Sequence, residues 1–260
     1  DMYDLYKANR DAMPEDLRPQ MPLTREATRA FNIACEEIEG FEADDIIATL
    51  ACQARDAGGR VTILSSDKDL MQLVGDGVEM LDPMKNKRID RDGVVEKFGV
   101  QPERVVDVQA LAGDSVDNVP GAPGIGIKTA ALLINEYGDL ETLLDRAGEI
   151  KQPKRRESLI ENRAQIELSK RLVSLDCEMV LPFDLDSLEI RDAVPEDLLA
   201  FLAKMEFRTI VKRIADRLGA KAPEIEAPVA VVPEAVPFDA AVYEKVSDAS
   251  ALQVWLERIY

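Results

Sequence analysis

Five carboxylates lie beside two neighbouring elements that the sequence predicts, a helix and a buried strand. They are Glu42, Asp44, Asp45, Asp67 and Asp69. Clustered carboxylates repel one another and raise one another's pKa unless a cation lies among them. Carboxylate oxygens select hard divalent ions such as Mg²⁺ and Mn²⁺, and a pair of these ions is typical of phosphodiester hydrolysis. These residue types therefore indicate metal-assisted hydrolysis of a phosphate ester.

The apolar spacing predicts the elements that position these acids. Apolar residues at helical intervals follow the first three acids and are Ile46, Ile47, Leu50 and Ala51. The acids therefore fall in the first turn of a helix, where negative charge suits the helix dipole. The apolar run 61–64 predicts a buried strand, and the last two acids lie just past its carboxyl end, where open α/β sheets place their sites. Taken alone, Asp45 is better explained as a helix-start charge and Asp67 as the N-cap of a short helix over 68–73, and it is the group of five that favours a metal.

The composition excludes several kinds of catalytic site. The chain has 260 residues and no histidine, which excludes serine–histidine and cysteine–histidine nucleophiles and histidine-bound zinc or iron. Its three cysteines, Cys35, Cys52 and Cys177, have no metal-ligand spacing and indicate reduced thiols in a cytoplasmic protein. No stretch approaches the roughly 18–20 apolar residues of a membrane span, so we expect no membrane partner. We also expect a monomer.

The net charge of −18 argues against a nucleic-acid partner only if its distribution is ignored. Residues 151–171 carry seven basic side chains against three acidic ones, a local net charge of +4. Lys154, Arg155 and Arg156 begin this basic run and are candidate contacts to a phosphate backbone. A solvated helical face explains the run equally well.

A glycine-rich loop over 113–130 brings two more acids, Asp114 and Asp117. Its Gly124-Ile-Gly126 turn precedes a predicted helix over 128–137 and leaves backbone N–H groups open to a phosphate. The spacing of a phosphate-binding NTPase loop is absent. Short helices around such a turn can hold a nucleic-acid backbone without reading its sequence.

The beginning of the chain carries two further local patterns. Residues 1–10 predict a helix, and Phe31 to Cys35 predicts a strand leading to the first acids. The sequence opens without a methionine, which favours the interior of a longer protein.

Four motifs, in this order, resemble the successive motifs of the 5′ nuclease (flap endonuclease) family. They are Glu42-Ala-Asp-Asp45, Ser66-Asp-Lys-Asp69, Gly113-Asp-x-x-Asp-Asn118 and Gly124-Ile-Gly-x-Lys-Thr-Ala130. Residues 1 to about 218 are most similar to the amino-terminal 5′→3′ exonuclease domain of bacterial DNA polymerases. The resemblance implies two Mg²⁺ ions, for which Mn²⁺ can substitute, and a K⁺ ion at a helix–hairpin–helix motif.

The resemblance also implies roles for individual residues. Lys7 and Arg10 are expected to face the scissile phosphate as catalytic residues. The expected metal ligands are Glu42, Asp44, Asp45, Asp67, Asp69, Asp114 and Asp117. The expected DNA contacts are Gly124, Ile125, Gly126, Lys128, Thr129, Lys154, Arg155 and Arg156.

The implied fold is an α/β, parallel-sheet 5′ nuclease (PIN-like) domain over residues 1–100, lacking its first strand. An all-α helix–hairpin–helix (helix–three-turn–helix) subdomain is expected over 101–218, and a flexible Ala/Pro/Glu-rich linker over 219–236. Residues 237–260 are expected to begin a truncated 3′→5′ exonuclease-like domain. Because the family has an upstream strand and segment that each supply an aspartate, we expect activity of these residues alone to be near background until that segment is supplied.

The implied function is two-metal hydrolysis of DNA or RNA-primer phosphodiesters during replication and repair. The expected partners are DNA with 5′ flaps, nicks or RNA-primed ends, and downstream polymerase domains in the same chain. Two alternatives remain, a non-catalytic fragment that binds DNA junctions and a metal phosphohydrolase acting on small phosphate esters.

Overall fold

The structure is a computed structural model that describes residues 3–10, 12–224 and 244–259. The chain divides into two compact units, residues 1–201 and 202–260. The predicted linker over 219–236 and the predicted domain start over 237–260 both fall partly outside the described residues. Among the helices that are described, none is long and apolar enough to span a membrane.

Helices form most of the regular structure. The α-helices of the first unit are α1 (Met21–Ala30), α2 (Ala43–Asp56), α3 (Arg91–Phe98), α4 (Val105–Ala112), α5 (Ile127–Tyr137), α6 (Leu140–Asp145), α7 (Pro153–Glu161) and α8 (Arg163–Val173). They are followed by α9 (Pro195–Lys204), α10 (Arg208–Leu218) and α11 (Ala249–Ile259). Short 3₁₀ helices are Arg18–Gln20, Asp69–Leu73, Pro102–Arg104, Ala147–Glu149 and Asp186–Leu188.

The sheet has three strands in the order β1 (Val61–Leu64), β2 (Val78–Asp82) and β3 (Lys87–Ile89). Strands β1 and β2 are parallel, whereas β3 is antiparallel to β2. The expected α/β class is confirmed, with a mixed sheet. The reason for the mixture is local, since a short turn between β2 and β3 must reverse the chain, whereas parallel strands need a longer crossover.

The crossover from β1 to β2 carries two of the predicted site acids. It leaves the carboxyl end of β1 at Ser65, forms the 3₁₀ helix Asp69–Leu73 and returns to β2. Leu70 and Met71 of this helix are buried, so the crossover is fixed to the core. Asp67 and Asp69 thus lie at the sheet edge that the sequence predicted.

Two local predictions near the beginning of the chain were wrong. Residues 4–9 form turns, because Lys7 has a positive φ of 58° and its N–H donates to the Asp117 carbonyl instead of continuing a helix. Phe31 to Cys35 forms no strand. The chain turns at Asn32, whose φ is 57° and whose side chain donates to the Asp192 carbonyl at 2.7 Å.

One cluster of buried apolar side chains joins the sheet to the helices that follow it. Met80 and Phe98 come from the α/β half, and Leu111 comes from the last turn of α4. Helix α4 packs against both α5 and α8, which explains why it is apolar almost all round. The packing of α4 matters because the loop with Asp114 and Asp117 begins directly after it.

Candidate active site

The first acids occupy the beginning of α2. Glu42 is the N-cap residue and is exposed, while Asp44 and Asp45 are half-buried in the first turn. Asp45 Oδ1 accepts a hydrogen bond from the backbone N–H of Asp176 at 2.9 Å. The start of α2 therefore presents three carboxylates and is held by a segment far along the chain.

The second acids follow β1. Asp67 Oδ1 accepts a hydrogen bond from the backbone N–H of Asp69 at 3.0 Å. The 3₁₀ helix begins at Asp69 with Lys68 as its N-cap residue, so Asp67 lies one position before the cap and not at the N-cap position that the sequence allowed. Asp69 Oδ1 accepts from the buried Gln109 Nε2 at 2.5 Å. Asp69 is thereby fixed between the crossover and α4.

The third acids lie in a tight loop after α4. The backbones of Asp114 and Val119 bond to each other in both directions, at 2.9 and 2.7 Å. The ends of the loop meet so closely that a Cβ on Gly113 would lie 2.6 Å from the Val119 carbonyl oxygen. Gly113 has a φ of 69°, so both the space and the backbone angle require glycine there.

Lys7 and Arg10 reach this loop from the beginning of the chain. Arg10 Nη2 lies 2.7 Å from Asp117 Oδ1, and Lys7 Nζ bonds to the Glu42 carboxylate. The segment is also fixed by Asn118, whose side chain donates to the Leu5 carbonyl at 2.7 Å. Both predicted catalytic cations therefore face predicted metal ligands.

All seven predicted metal ligands line two adjoining clefts. The first cleft has a volume of about 470 Å³ and is lined by Glu42, Asp44, Asp45, Asp69 and Asp117, together with Lys7. The second has a volume of about 510 Å³ and is lined by Asp67, Asp69, Asp114 and Asp117, together with Arg10 and Lys68. Asp69 and Asp117 belong to both clefts, so the acids form one continuous acidic surface.

The acids do not converge on one point. Within the part of the chain that the structure describes, no three Asp, Glu, Cys or His side chains are close enough together to hold a metal ion. Cations of the chain pair with three of the acids, namely Lys7 with Glu42, Arg10 with Asp117, and Lys68 with Asp114 at 2.5 Å. The predicted ligands are thus brought to one surface, but their arrangement is that of an ion-paired site.

The electrostatics of the clefts still favour an added cation. Burial, with help from the Asp67 charge, raises the pKa of Asp69 to about 6, although the Gln109 hydrogen bond lowers it. Burial and the charges of Asp67 and Glu42 also raise the pKa of Asp44. Burial is the largest cause of both shifts and the neighbouring carboxylates add to it, so a cation among these acids would favour their ionised form. An all-carboxylate donor set in such a field fits hard divalent ions in its chemistry.

Lys68 lowers the pKa of its partner Asp114, whereas the pKa values of Asp44 and Asp69 are raised. Burial raises the pKa of Asp114, but the Lys68 ammonium and the backbone N–H of Val116 more than offset this and bring it below the usual value. Burial lowers the pKa of Lys68, yet its bond to Asp114 leaves that pKa above the usual value. Both groups are therefore charged at neutral pH.

The glycine turn is open where the sequence predicted nucleic-acid contact. Gly124 has a φ of 79°, which favours glycine, whereas Gly126 has an ordinary φ of −92° and is the N-cap of α5. A Cβ on Gly126 would meet no atom within 4 Å. Lys128 is exposed and Thr129 half-buried, but the side chain of Ile125 is 3% exposed and belongs to the core. Ile125 can therefore offer a ligand only its backbone.

The basic residues of α7 divide into two groups. Lys154 is exposed, while Arg155 and Arg156 are half-buried. Arg156 Nη1 donates to the Ile150 carbonyl at 3.0 Å, so Arg156 caps the preceding 3₁₀ helix. Helix α7 is joined to the glycine turn by Ser158, whose hydroxyl donates to the Pro123 carbonyl at 2.8 Å.

Sequence reasoning missed the polar residues that fix the acids. Gln109 donates a hydrogen bond to Asp69 through its Nε2, and the buried Oε1 of Gln109 has no hydrogen-bond partner among the described atoms. Thr49 donates to the Asp176 carbonyl at 2.9 Å and so holds the segment that bonds to Asp45. Both are polar residues inside apolar helical runs, Gln109 in α4 and Thr49 in α2, and that placement was the signal available in the sequence.

Family models match most of this architecture. Residues 1–99 match the N-terminal resolvase-like domain of 5′-3′ exonucleases, and residues 100–196 match the C-terminal SAM fold of the same enzymes. Among solved structures, zinc-bound T5 5′-exonuclease has a TM-score of 0.58 and 24% identity, covering 66% of this chain and 68% of its own. The T5 flap endonuclease in complex with DNA and metal ions has a TM-score of 0.59 and 20% identity, covering 84% and 77%. At sequence identities below 25%, these two structural matches show a common fold and nothing more.

Curated relatives are similar at higher identity. DNA polymerase I of Rhizobium leguminosarum is 57% identical over 226 residues, which are 87% of this chain and 22% of that protein. DNA polymerase I of Pseudomonas aeruginosa is 38% identical over 271 residues, covering 100% of this chain and 28% of that protein. The chain thus spans about a quarter of the length of the relatives it matches. The two family models together match residues 1–196, which include all seven acids and the glycine turn. The chain therefore belongs to the 5′-3′ exonuclease family.

Proposed function

We propose that this chain forms the 5′→3′ exonuclease and flap endonuclease part of a DNA polymerase I, and that it hydrolyses phosphodiesters of DNA or RNA primers. The observation that carries this proposal is the meeting of seven carboxylates from three separated segments on two adjoining clefts. A structural role does not require the acids to share one surface, since each acid could cap or pair locally.

Divalent ions are the cofactors that this surface favours. Glu42, Asp44, Asp45, Asp67, Asp69, Asp114 and Asp117 would hold them, directly or through water. Mg²⁺ is the ion we expect, with Mn²⁺ as a substitute, and the chemistry that such ions supply is activation of water and stabilisation of the leaving oxygen. Both T5 neighbours are described with metal ions bound, zinc in one of them, and this agrees with a divalent requirement.

Lys7 and Arg10 would act on the substrate phosphate. Both side chains are held at the clefts by acids, so both can offset charge that develops on a phosphodiester there. The backbone of Lys7 is fixed by its bond to the Asp117 carbonyl, which keeps the ammonium close to the acids. Fixed cations need little rearrangement when the reaction begins.

The glycine turn would hold duplex DNA. The N–H groups around Gly126 and the exposed Lys128 and Lys154 suit phosphate contacts that do not depend on sequence. A K⁺ ion between the turn and a phosphate is a further part of this proposal. The expected partners are DNA with 5′ flaps, nicks or RNA-primed ends, and polymerase domains like those of the relatives.

Cleavage of a 5′-labelled flap duplex tests the reaction. In the full-length protein with Mg²⁺, Asp67→Ala should reduce the cleavage rate by several orders of magnitude, while affinity for the duplex changes little. Asp76→Ala is the matched control, because Asp76 is an acid of the same crossover that lines neither cleft. Cleavage by Asp67→Ala near the wild-type rate would contradict the metal assignment, and binding without cleavage by the wild type would favour a DNA-junction binding protein.

A second experiment tests the glycine turn. Gly126→Leu should weaken binding to duplexes of every sequence, because its side chain fills the space that a phosphate backbone would occupy. Gly148→Leu is the control, since a Cβ there also meets no atom within 4 Å. Equal affinities of the two variants would refute the assignment, and a loss restricted to particular sequences would indicate base contacts instead.

A further inference from the structure

Lys68 is a cation of the second cleft that is paired with one of the acids and to which neither the sequence nor the family resemblance assigned a role. Its Nζ lies 2.5 Å from Asp114 Oδ2, and the two side chains are 35% and 10% exposed. The other Asp114 oxygen, Oδ1, accepts from the backbone N–H of Val116 at 2.8 Å. The oxygen of Asp114 that is not used by its own loop is therefore the one that the ammonium holds.

The surroundings of Lys68 make this pair exchangeable. Asp67, Asp69 and Asp114 all act on the ammonium by their charges, so Lys68 provides one positive charge among three negative ones. A divalent ion bound at these acids would provide two positive charges and would repel the Lys68 ammonium from Asp114. Because the Lys68 side chain is partly exposed, it can turn out of the acids without unfolding its surroundings.

We propose that Lys68 is an exchangeable counter-ion, bound to Asp114 until a divalent ion takes that carboxylate and then turned towards a phosphate of the bound nucleic acid. This inference rests on the proposed function, because it takes the acids as metal ligands and DNA as the bound nucleic acid. The second cleft, which Lys68 lines beside Ser65, Ser66 and Arg10, gives the released ammonium a place to meet a phosphate. Divalent ions and DNA then strengthen each other's binding through one side chain.

Calorimetric titration of the DNA-free protein with Mg²⁺ tests the first half of this inference. Lys68→Met should bind Mg²⁺ more tightly than the wild type by about threefold to tenfold, since the ion no longer displaces a partly exposed ion pair. Lys68→Gln, which keeps a hydrogen-bond donor without the charge, should shift the affinity in the same direction. Circular dichroism melting shows whether each variant is folded.

Lys97→Met is the matched control for the titration. Lys97 lines the same cleft, is exposed, and has no ion pair to an acid among the described residues. Its removal changes the net charge of the cleft equally but leaves Asp114 paired, so its Mg²⁺ affinity should stay within about twofold of wild type. Unchanged or weaker Mg²⁺ binding by folded Lys68→Met, or an equal gain in Lys97→Met, would overturn the exchange.

Fluorescence anisotropy with a labelled flap duplex tests the second half. In Ca²⁺, with a gel showing that the duplex stays intact, Lys68→Met should bind DNA about threefold to tenfold more weakly and lose about one unit of salt slope. In EDTA the same variant should bind DNA no more weakly than the wild type does. Without divalent ions, Lys68 of the wild type stays paired with Asp114 and makes no contact with DNA. An equal loss with and without Ca²⁺ would make Lys68 a permanent phosphate contact and refute the exchange.

The outcomes separate this inference from the proposed function. Mg²⁺ binding by the wild type that is insensitive to Lys68 overturns only the exchange. Tight Mg²⁺ binding without cleavage of any 5′-flap substrate overturns the proposed reaction and leaves the exchange standing.

Discussion

The contact between Gly113 and Gly121 closes the loop that carries Asp114 and Asp117, and Gly121→Ala should disrupt it. A Cβ on Gly121 would lie 2.5 Å from Gly113 N and 2.7 Å from Gly113 Cα, where ordinary contacts begin at 3.4 Å. Both close atoms are backbone, so no flexible side chain can move aside. The two ends of the loop must therefore separate.

The expected loss of stability can be worked from three contributions. Gly121 has a φ of 61°, and alanine in the left-handed region costs about 1–2 kcal/mol. Separation of the chains strains the bonds from Gly121 N to Ser169 Oγ and from Gln165 Nε2 to the Gly121 carbonyl, worth about 1 kcal/mol each. We expect a decrease of about 3–4 kcal/mol in the free energy of unfolding, a large part of the roughly 5–15 kcal/mol of an ordinary domain.

Urea unfolding followed by circular dichroism measures this loss. Gly126→Ala is the control, because its φ is −92° and its Cβ would meet no atom within 4 Å, so its stability should change by less than about 0.5 kcal/mol. A Gly121→Ala protein within about 1 kcal/mol of wild type, or an equal loss in Gly126→Ala, would refute the steric reasoning.

Three further predictions concern charge and polar contacts. Because the pKa of Asp69 is raised to about 6, the folded protein binds that proton more tightly than the unfolded chain does. Without divalent ions, stability from this group should be full below about pH 4 and lost as the pH rises through 6, and Asp69→Asn should flatten the melting temperature over that range. Lys170→Met should cost about 1.5–3 kcal/mol in urea unfolding, because the buried Asp107 loses the ammonium at 2.9 Å and keeps the Arg104 guanidinium at 3.4 Å, whereas a loss below about 1 kcal/mol would show that the pair is dispensable. Thr49→Val should cost about 1–3 kcal/mol, since the Asp176 carbonyl loses its donor, and hydrogen exchange at residues 174–179 should quicken while that of α5 does not.

The sequence alone was sufficient to predict the helices and the strand that are marked by the spacing of nearby apolar residues. The acids at the start of α2 and after β1 could be placed because apolar spacing predicts a helix and a buried strand, and acids beside them follow. The same holds for the helix after the glycine turn, which begins at Ile127, one residue before the predicted start. Its four motifs also indicated the family, which the family models confirm.

Tertiary structure decided how the acids are used. Residues 4–9 form turns, not the predicted helix, because the Asp117 carbonyl, far along the chain, captures the Lys7 N–H. In the sequence Lys68 was the first residue of a predicted short helix over 68–73, and only the packing of the crossover against the loop after α4 gives it Asp114 as a partner. Gln109 became a support for Asp69 in the same way.

The physical reason is that spacing along a chain records only interactions within a few residues of each other. Helix and strand periods come from local backbone geometry, so the sequence determined where acids sit on each element. Which oxygen of Asp114 faces Lys68, and which faces its own loop, depends on contacts between segments that are distant in sequence. The sequence by itself therefore determined the kinds of group at this surface, and the fold decided which of them hold one another.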